Sequence, residues 1–216
     1  MVRLSGKNVV ITAGPTYEAI DPVRFIGNHS TGKMGIHIAE EAARQGANVT
    51  LICGPSGIPS SMSVRRINVV SAQQMYDAVI PCFMDADIAI LSAAVADYRP
   101  KYAAAQKIKK HDAELSIELE PTQDILAALG LLKRPEQFLV GFALETENAI
   151  ENATSKLQRK NCDMIVLNSL ADKGAGFGFD TNRISILDKQ GNVATFGLKS
   201  KREVAVDIID YIKERL

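Results

Sequence analysis

The sequence predicts an α/β protein built on a doubly wound, mostly parallel, Rossmann-like sheet. Two patterns predict this class. Strand-like and helix-like segments alternate along almost the whole chain, and the strand-like segments are nearly continuously apolar, as in Val-Val-Ile-Thr-Ala and Ile-Ala-Ile-Leu-Ser. Continuously apolar strands are typical of a parallel sheet covered by helices on both faces. Such sheets bind ligands outside the carboxyl ends of their strands, so functional residues are expected in the loops that follow them.

Six segments are predicted as strands of this sheet, because each is a short apolar run. They are Asn8–Ala13, Asn48–Cys53, Arg65–Val70, Ile88–Ser92, Phe138–Ala143 and Met164–Asn168. Apolar residues recur at helical spacing in five other segments, which are predicted as helices. They are Met34–Gln45, Ala72–Met84, Thr122–Leu132, Glu147–Lys160 and Ser200–Leu216.

Two stretches interrupt the alternation of strands and helices. Gln106–Glu120 contains Lys-Ile-Lys-Lys and ends in Glu-Leu-Ser-Ile-Glu-Leu-Glu, an alternating pattern that predicts a β-hairpin flap. Arg183–Asp188 and Asn192–Phe196 flank Lys-Gln-Gly and predict a C-terminal β-hairpin.

Composition limits the class of protein. A chain of 216 residues that is 46% hydrophobic can bury the core of a single domain, predicted over residues 1–216. Lys plus Arg equals Asp plus Glu at 25 each, so no net field draws the chain to nucleic acid or to a membrane. The three cysteines are far apart in sequence, which fits a reducing compartment. With no apolar run of ~18 residues and no signal peptide before the first strand, a cytoplasmic protein is expected.

The loop between the first strand and the first helix contains Gly-x-x-x-x-Gly-Lys-Met, beginning at Gly27. This nearly spells the phosphate-binding P-loop, but Met34 replaces the Ser or Thr that would ligate Mg²⁺, and Gly27 lies fourteen residues after the strand. A P-loop ATPase is therefore disfavoured. Ser30, Thr31 and Gly32 still precede a helix, whose free N–H groups favour an anion. The alternative is that Ser30 or Thr31 only caps the helix.

A nucleotide- or dinucleotide-binding module, such as an NAD(P)-dependent reductase, is the alternative class. The fingerprint of that class is weak here, because the first turn reads Ala-Gly-Pro-Thr and lacks Gly-x-Gly-x-x-Gly. The second strand ends Leu-Ile-Cys-Gly-Pro, with no acidic residue to hold an NAD ribose. The histidines and cysteines show no metal-ligand spacing, so no ligand set for a metal is identified.

Longer motifs resemble a known family. The run I-T-A-G-P-T-x-E-x-I-D-P-V-R-F-I-x-N-H-S-T-G-K-M-G, followed by L-S-A-A-V-A-D-Y-R and K-I-K-K, is similar to phosphopantothenoylcysteine synthetase, the ligase of coenzyme A biosynthesis. The match runs from Lys7 to the final helix. In many bacteria this ligase follows a flavin-dependent decarboxylase domain in one chain. No such domain is present in this sequence, so the resemblance implies a free-standing ligase, with the decarboxylase on another polypeptide.

The resemblance also implies the reaction and its reactants. The carboxylate of 4′-phosphopantothenate attacks the α-phosphate of CTP to give an acyl-cytidylate and pyrophosphate, and the amine of L-cysteine then expels CMP. Mg²⁺ is expected with CTP as its complex, held mainly by triphosphate oxygens and water. CTP as the nucleotide rests on the bacterial members, since eukaryotic relatives use ATP. A homodimer is implied too, with an apolar edge of the last hairpin as one possible interface.

Three residues carry catalytic roles by resemblance. Asn28 matches the asparagine that holds the acyl group, and Arg24 matches an arginine of the cysteine-dependent step. Lys107 matches the lysine needed to form the acyl-cytidylate, and we expect it on a mobile flap that closes over the nucleotide. Taken from the residues alone, Asn28 reads equally well as a turn residue, Arg24 as a surface arginine and Lys107 as an ordinary basic edge.

The resemblance places further residues at the nucleotide: Leu91, Ser92, Ala93, Asp97, Lys107, Glu120, Pro121, Thr122, Gln123, Phe142, Lys156 and Lys160. Small residues after the fourth predicted strand read equally as close helix packing, and Lys156 with Lys160 as an exposed helix face. Glu-Pro-Thr-Gln-Asp-Ile, beginning at Glu120, departs from the Lys-Asn-Pro-Asp-Ile of many bacterial members, so contacts there are expected from backbone atoms. Ser30, Thr31 and Gly32 are the expected site for a phosphate or for the intermediate.

Overall fold

The structure is a computed structural model, which describes residues 4–110, 114–145, 147–169 and 179–216. An eight-stranded sheet forms its centre. In spatial order the strands are Val193–Thr195 (β13), Ile184–Asp188 (β12), Met164–Ser169 (β10), Phe138–Glu145 (β9), Ile88–Leu91 (β6), Asn8–Ala13 (β1), Asn48–Cys53 (β4) and Val64–Asn68 (β5). The six strands from β10 to β5 are parallel to one another. At the other edge β12 pairs antiparallel with β10, and β13 pairs antiparallel with β12.

Five helices cover this sheet in the described part of the chain: Lys33–Arg44 (α1), Ala72–Met84 (α2), Ile125–Leu132 (α3), Ala149–Arg159 (α4) and Lys201–Lys213 (α5). Apolar residues of α1 and α5 pack in one core with β1, β4 and β10. Apolar residues of α2, α3 and α4 pack in a second core on the opposite face. The predicted doubly wound α/β architecture is confirmed, because both faces of the parallel strands are buried.

The order in which successive strands are added to the sheet reverses at β1. From β1 the sheet is extended on one side by β4 and β5, and on the other side by β6, β9 and β10. At the carboxyl end of the sheet the loops that follow β1 and β6 lie side by side, and Ala94 N–H donates to the carbonyl of Gly14 at 2.9 Å. This switch point is where open parallel sheets bind ligands.

Most predicted boundaries lie within two residues of the observed ones, but the predicted start of the third helix at Thr122 is wrong. The helix begins at Ile125, because the carboxylate of Asp124 accepts a hydrogen bond from the N–H of Ala127 at 2.8 Å and caps it. The N–H of Thr122 instead donates to the carbonyl of Asp97 at 2.9 Å. Thr122 and Gln123 therefore belong to the loop before α3 and not to the helix.

The predicted flap is a hairpin only at its base. Tyr98–Pro100 (β7) pairs antiparallel with Leu119–Pro121 (β8), and the described residues between them form no strand. The Lys-Ile-Lys-Lys segment was predicted as hairpin strand and is not one, because its backbone bonds elsewhere: Ile108 N–H donates to the carboxylate of Asp21 at 3.1 Å. The centre of the predicted hairpin, residues 111–113, lies outside the described residues.

The C-terminal hairpin is confirmed, with β12 and β13 paired antiparallel. Two short sheets were not predicted. Tyr17–Ala19 (β2) pairs with Phe25–Gly27 (β3) inside the loop after β1, and Thr181–Asn182 (β11) pairs with Lys199–Ser200 (β14). No helix in the described ranges combines the length and apolar character that crossing a membrane requires.

Candidate active site

A cavity of about 550 Å³ lies at the carboxyl end of the sheet, over β1, β6 and β9. Its lining includes many of the residues that the sequence singled out: Asn28, Leu91, Ser92, Ala93, Asp97, Thr122, Gln123, Phe142 and Lys156. These residues come from five separate parts of the chain. The topology brings them together because parallel strands present all their carboxyl ends at one edge.

Asn28 lies on the loop after β3 and its side chain contacts the loop after β6. Its Nδ2 donates to the carbonyl oxygen of Ala94 at 3.1 Å and, more weakly, to that of Val95 at 3.4 Å. Backbone bonds join the same two loops, since Ala94 N–H donates to Gly14 at 2.9 Å and Thr16 N–H donates to Ala94 at 3.2 Å. The two loops thus form one unit, which fixes Asn28 over the segment after β6.

Ser30 and Thr31 do not cap α1. The cap residue is Gly32, with a φ of 80° and no side-chain hydrogen bond to the helix, so the capping alternative for the two hydroxyls is wrong. Ser30 Oγ accepts from Gly32 N–H at 3.3 Å, and the carbonyl of Thr31 accepts from Ser56 Oγ at 2.7 Å. Only glycine fits at residue 32, because its φ is left-handed and a Cβ would lie 3.0 Å from the backbone N of Gly14.

Arg24 and Lys107 are not among the residues that line this cavity. Arg24 forms an ion pair with Asp21, whose side chain is fully buried, and its Nη2 also donates to the carbonyl of Ile108 at 3.0 Å. Arg24 holds the pKa of the Asp21 carboxyl far below its usual range, against the opposing effect of burial. Lys107 is exposed and directly precedes Ile108. Arg24 therefore contacts the residue that directly follows Lys107 in the chain.

The two lysines of α4 differ in their surroundings. Lys156 lines the cavity and donates from Nζ to the carbonyl of Phe142 at 2.8 Å. Lys160 is in an ion pair with Asp124, the residue that caps α3. Burial raises the pKa of Asp124, but hydrogen bonds from Lys160 and from the N–H of Ala127 outweigh it and lower the pKa. Lys156 is the better placed of the two for a ligand in the cavity.

In the segment before α3, two of the four residues predicted to bind the nucleotide line the cavity. Thr122 and Gln123 line the cavity, and Thr122 Oγ1 donates to the carbonyl of Ala96 at 2.6 Å. Glu120 and Pro121 belong to β8 and do not line it. The carboxylate of Glu120 accepts a hydrogen bond from Arg99 Nε at 2.8 Å, so the side chain serves the base of the flap.

Sequence reasoning missed a polar group at the far side of the cavity. Lys201, at the start of α5, lines the cavity although it is only 6% exposed. Its burial, aided by the nearby charge of Lys33, lowers its pKa. Asn182 and Asn168 lie beside it, joined by a hydrogen bond of 2.9 Å. In the sequence, a lysine at the start of an amphipathic helix gives no sign that it will line a cavity. The packing of α5 against α1 places it there.

The described residues contain no group of three or more His, Cys, Asp or Glu side chains that could hold a metal ion. Asp97 is the carboxylate at the cavity that lacks a described ion pair, and Asp124 is paired with Lys160. The donor groups of the described residues therefore do not fit a dedicated magnesium cage. Octahedral Mg²⁺ commonly keeps water and substrate phosphates as ligands, which needs few protein groups.

Comparison with known proteins identifies the family. The family model described as "DNA/pantothenate metabolism flavoprotein C-terminal domain" matches residues 4–216. A prokaryotic protein named "Cysteine/Cysteine sulfinic acid decarboxylase" is 56% identical over 95% of this chain and 58% of its own length. The coenzyme A biosynthesis bifunctional protein CoaBC of Haemophilus influenzae is 50% identical over 98% of this chain and 52% of its own length.

The chain thus spans little more than half the length of these relatives. The crystal structure of the C-terminal domain of a coenzyme A biosynthesis bifunctional protein CoaBC is 45% identical, with a TM-score of 0.84, and the match covers 98% of this chain and 96% of that one. The resemblance found in the sequence motifs is confirmed at the level of the family. This chain belongs to the family of DNA/pantothenate metabolism flavoprotein C-terminal domains, the family that its loop after the first strand indicated.

Proposed function

We propose that this chain is a phosphopantothenate–cysteine ligase, joining 4′-phosphopantothenate to L-cysteine with cleavage of CTP to CMP and pyrophosphate. The observation that carries the proposal is that Asn28 lines one cavity at the switch point together with Ala93, Phe142 and Lys156. A site of this shape suits a nucleotide, with small residues and an aromatic ring toward the base and cations toward the phosphates.

In the first half-reaction, the carboxylate of 4′-phosphopantothenate attacks the α-phosphorus of CTP, and the bond to the pyrophosphate oxygen breaks. Negative charge builds on the phosphoryl oxygens in this step, so fixed cations supply most of the stabilisation. Lys107 is the proposed cation at the α-phosphate, and Lys156, which lines the cavity, is the proposed second cation at the phosphates. Mg²⁺ would enter with CTP as part of the substrate complex.

In the second half-reaction, the amine of cysteine attacks the acyl carbon and CMP leaves. Asn28 is the proposed donor to the acyl oxygen as it becomes an oxyanion. Its carboxamide has two N–H bonds. Its Nδ2 lies 3.1 Å from the carbonyl oxygen of Ala94 and 3.4 Å from that of Val95, so the protein orients the side chain. The N–H at the longer contact is the one proposed to serve the substrate. Arg24 is the proposed cation for the cysteine-dependent step.

The decisive assay mixes the protein with 4′-phosphopantothenate, cysteine, Mg²⁺ and either CTP or ATP. Pyrophosphate should be released only when 4′-phosphopantothenate is present, and CMP only when cysteine is added as well. The proposal fails if pyrophosphate release ignores 4′-phosphopantothenate or does not occur. Running CTP and ATP side by side identifies the nucleotide, since no residue of the cavity fixes that choice.

The decarboxylase name of the prokaryotic relative motivates a second candidate. That name describes a protein of which this chain matches 58%, so the activity passes to this chain only if the matched part performs it. Carbon dioxide release from cysteine or cysteine sulfinate by this chain, without CTP, would favour the decarboxylase.

The dinucleotide-dependent reductase is tested by adding NAD(P)H to the ligase assay mixture and following the absorbance of NAD(P)H.

The homodimer and the cytoplasmic location are part of the same proposal. Val193, on the outer strand β13, is 52% exposed and offers an apolar contact at the edge of the last hairpin. Sedimentation velocity of the protein with and without Val193→Lys tests this edge. A dimer that persists in the variant would place the interface elsewhere, and a monomeric parent would remove the dimer from the proposal.

A further inference from the structure

We propose that Asp21 is a positioning residue for the ligase reaction, acting by clamping the peptide of Ile108 and so fixing the segment that carries Lys107. The inference rests on the proposed function, because it gives Asp21 a role through Lys107. It rests on the contacts of Asp21, because the sequence motif includes this aspartate without giving it a role.

The first half of the clamp is the carboxylate of Asp21, which is sealed from water. Its Oδ1 accepts from the N–H groups of Val23 and Arg24 at 2.8 and 2.9 Å, and this oxygen organises the turn between β2 and β3. Its Oδ2 accepts from the guanidinium of Arg24 and from the N–H of Ile108 at 3.1 Å. One oxygen therefore serves the turn, and the other reaches a segment 87 residues away.

The second half of the clamp is the guanidinium of Arg24. Its Nη2 donates to the carbonyl oxygen of Ile108 at 3.0 Å, so the ion pair holds both the N–H and the C=O of one residue. A further backbone bond, from Ala104 N–H to the carbonyl of Ile20 at 2.9 Å, ties the same segment to the same loop. A segment without strand or helix is thus fixed at two points to the loop that also carries Asn28.

The consequence for Lys107 follows from its place in the chain. Lys107 directly precedes Ile108, and its exposed side chain has no fixed contact of its own among the described residues. Its reach toward a nucleotide is therefore set by the position of its backbone. Errors of about 1 Å in the placement of a reacting group can cost about a hundredfold in rate. A carboxylate that fixes this backbone would then contribute to catalysis without touching a substrate.

Asparagine is the most informative substitution at residue 21. Asp21→Asn keeps the size of the side chain but replaces one carboxylate oxygen with an NH₂ group, which donates where an acceptor is needed. It also removes the charge that pairs with Arg24. The Oδ1 contacts can keep the turn between β2 and β3 by holding the carbonyl of the amide there, so the loss falls on the clamp.

The test follows two signals in the full chain: amide hydrogen exchange of residues 104–110, and the rate of pyrophosphate release in a single turnover. In Asp21→Asn we expect faster exchange at Ile108 and about tenfold slower pyrophosphate release, with unchanged exchange in β1 and β4. The larger effect should be on kcat and not on the KM for CTP. Lys101→Met is the matched control, because it breaks the exposed ion pair with Glu118 on the same segment without touching the clamp.

Three outcomes would overturn the inference or locate the failure. Unchanged exchange at Ile108 in Asp21→Asn removes the clamp. Faster exchange with normal pyrophosphate release, while Lys107→Gln abolishes it, leaves the clamp but removes its role in catalysis. Normal release in both variants instead removes the assigned role of Lys107, which is a failure of the proposed function.

If Asp21→Asn does not fold, Ile108→Pro breaks the clamp from the other side, because proline has no N–H to donate to Asp21. Residue 108 then has no amide hydrogen to exchange, so the two signals are the amide exchange of Ala104, Lys107 and Lys109 and the rate of pyrophosphate release. Unchanged exchange at these amides, or faster exchange with normal pyrophosphate release, overturns the inference. A slower pyrophosphate release in this variant, with β1 and β4 still protected, would support it.

Discussion

The carboxamide of Asn28 donates a hydrogen bond to the carbonyl oxygen of Ala94 at 3.1 Å, joining the loop after the first strand to the loop after the sixth. The contact spans 66 positions of sequence and crosses the switch point of the sheet. It fixes the orientation of a donor at the mouth of the cavity before any substrate arrives. Preorganisation of this kind is what a donor to a developing oxyanion requires.

The first prediction separates the two half-reactions. Asn28→Asp removes the donor to the acyl oxygen and adds a negative charge, so the second step should slow by about a hundredfold and acyl-cytidylate should accumulate. Lys107→Gln should fail to form the acyl-cytidylate. Acid-quenched time courses analysed by mass spectrometry measure the intermediate in each variant. Equal effects of the two changes on the first step would contradict the assigned roles.

The second prediction distinguishes the two lysines of α4. Lys156→Gln should raise the KM for CTP about tenfold, because its ammonium lines the cavity and a lost charged contact costs about 1.5–3 kcal/mol. Lys160→Gln should raise the KM less, because its ammonium is paired with Asp124. Steady-state kinetics with varied CTP measure both. A larger KM effect for Lys160→Gln would show that the ion pair opens when nucleotide binds.

The third prediction concerns the close approach of two loops behind the site. A Cβ on Gly54 would lie 1.7 Å from the carbonyl oxygen of Pro15, so Gly54→Ala must displace the loop after β1. We expect a loss of about 3 kcal/mol or more in the free energy of unfolding, with a loss of activity. Gly57→Ala is the control, because a Cβ there has no neighbour within 4 Å. Urea unfolding measures the free energy of unfolding of both variants. Similar values for Gly54→Ala and Gly57→Ala would contradict the close approach of Gly54 to Pro15.

The fourth prediction concerns acid stability at the far end of the sheet. Burial opposes ionisation of Asp188, but hydrogen bonds from Asn192, Arg215 and Tyr211 outweigh it and lower its pKa from 3.8 to about 2. A carboxyl with a depressed pKa in the folded state stabilises the fold above its unfolded pKa and loses that contribution as the pH falls. About 2 kcal/mol should therefore be lost between about pH 4 and pH 2.

Asp188→Asn isolates this contribution, because every other carboxyl titrates in both proteins. The variant should be less stable than the parent at pH 7, and the gap in free energy of unfolding should narrow as the pH approaches 3. Urea unfolding followed by circular dichroism over this range measures the gap. A gap that stays constant with pH would mean that ionisation of Asp188 contributes nothing to folding.

The local sequence determined the sheet and most of its helices. Continuous apolar runs gave Asn8–Ala13 and Asn48–Cys53 their observed bounds, because strands buried on both faces need apolar residues at every position. Ala72–Met84 also has its predicted bounds, with Ser71 and Gln74 forming a capping box at its start. The motifs around Asn28 determined the family, and the family pointed to nine of the 21 residues that line the cavity.

Only the tertiary structure decided which distant groups meet. Lys-Ile-Lys-Lys has the alternation of a strand, yet Ile108 bonds to Asp21 and Arg24, and Lys201 lines the cavity although it begins an ordinary amphipathic helix. Periodicity reports which faces of an element are buried, because burial of apolar surface repeats with the element. Periodicity does not show which remote carboxylate will accept a hydrogen bond from a given backbone N–H. The two groups become neighbours only when the loops at the carboxyl edge of the sheet have come together.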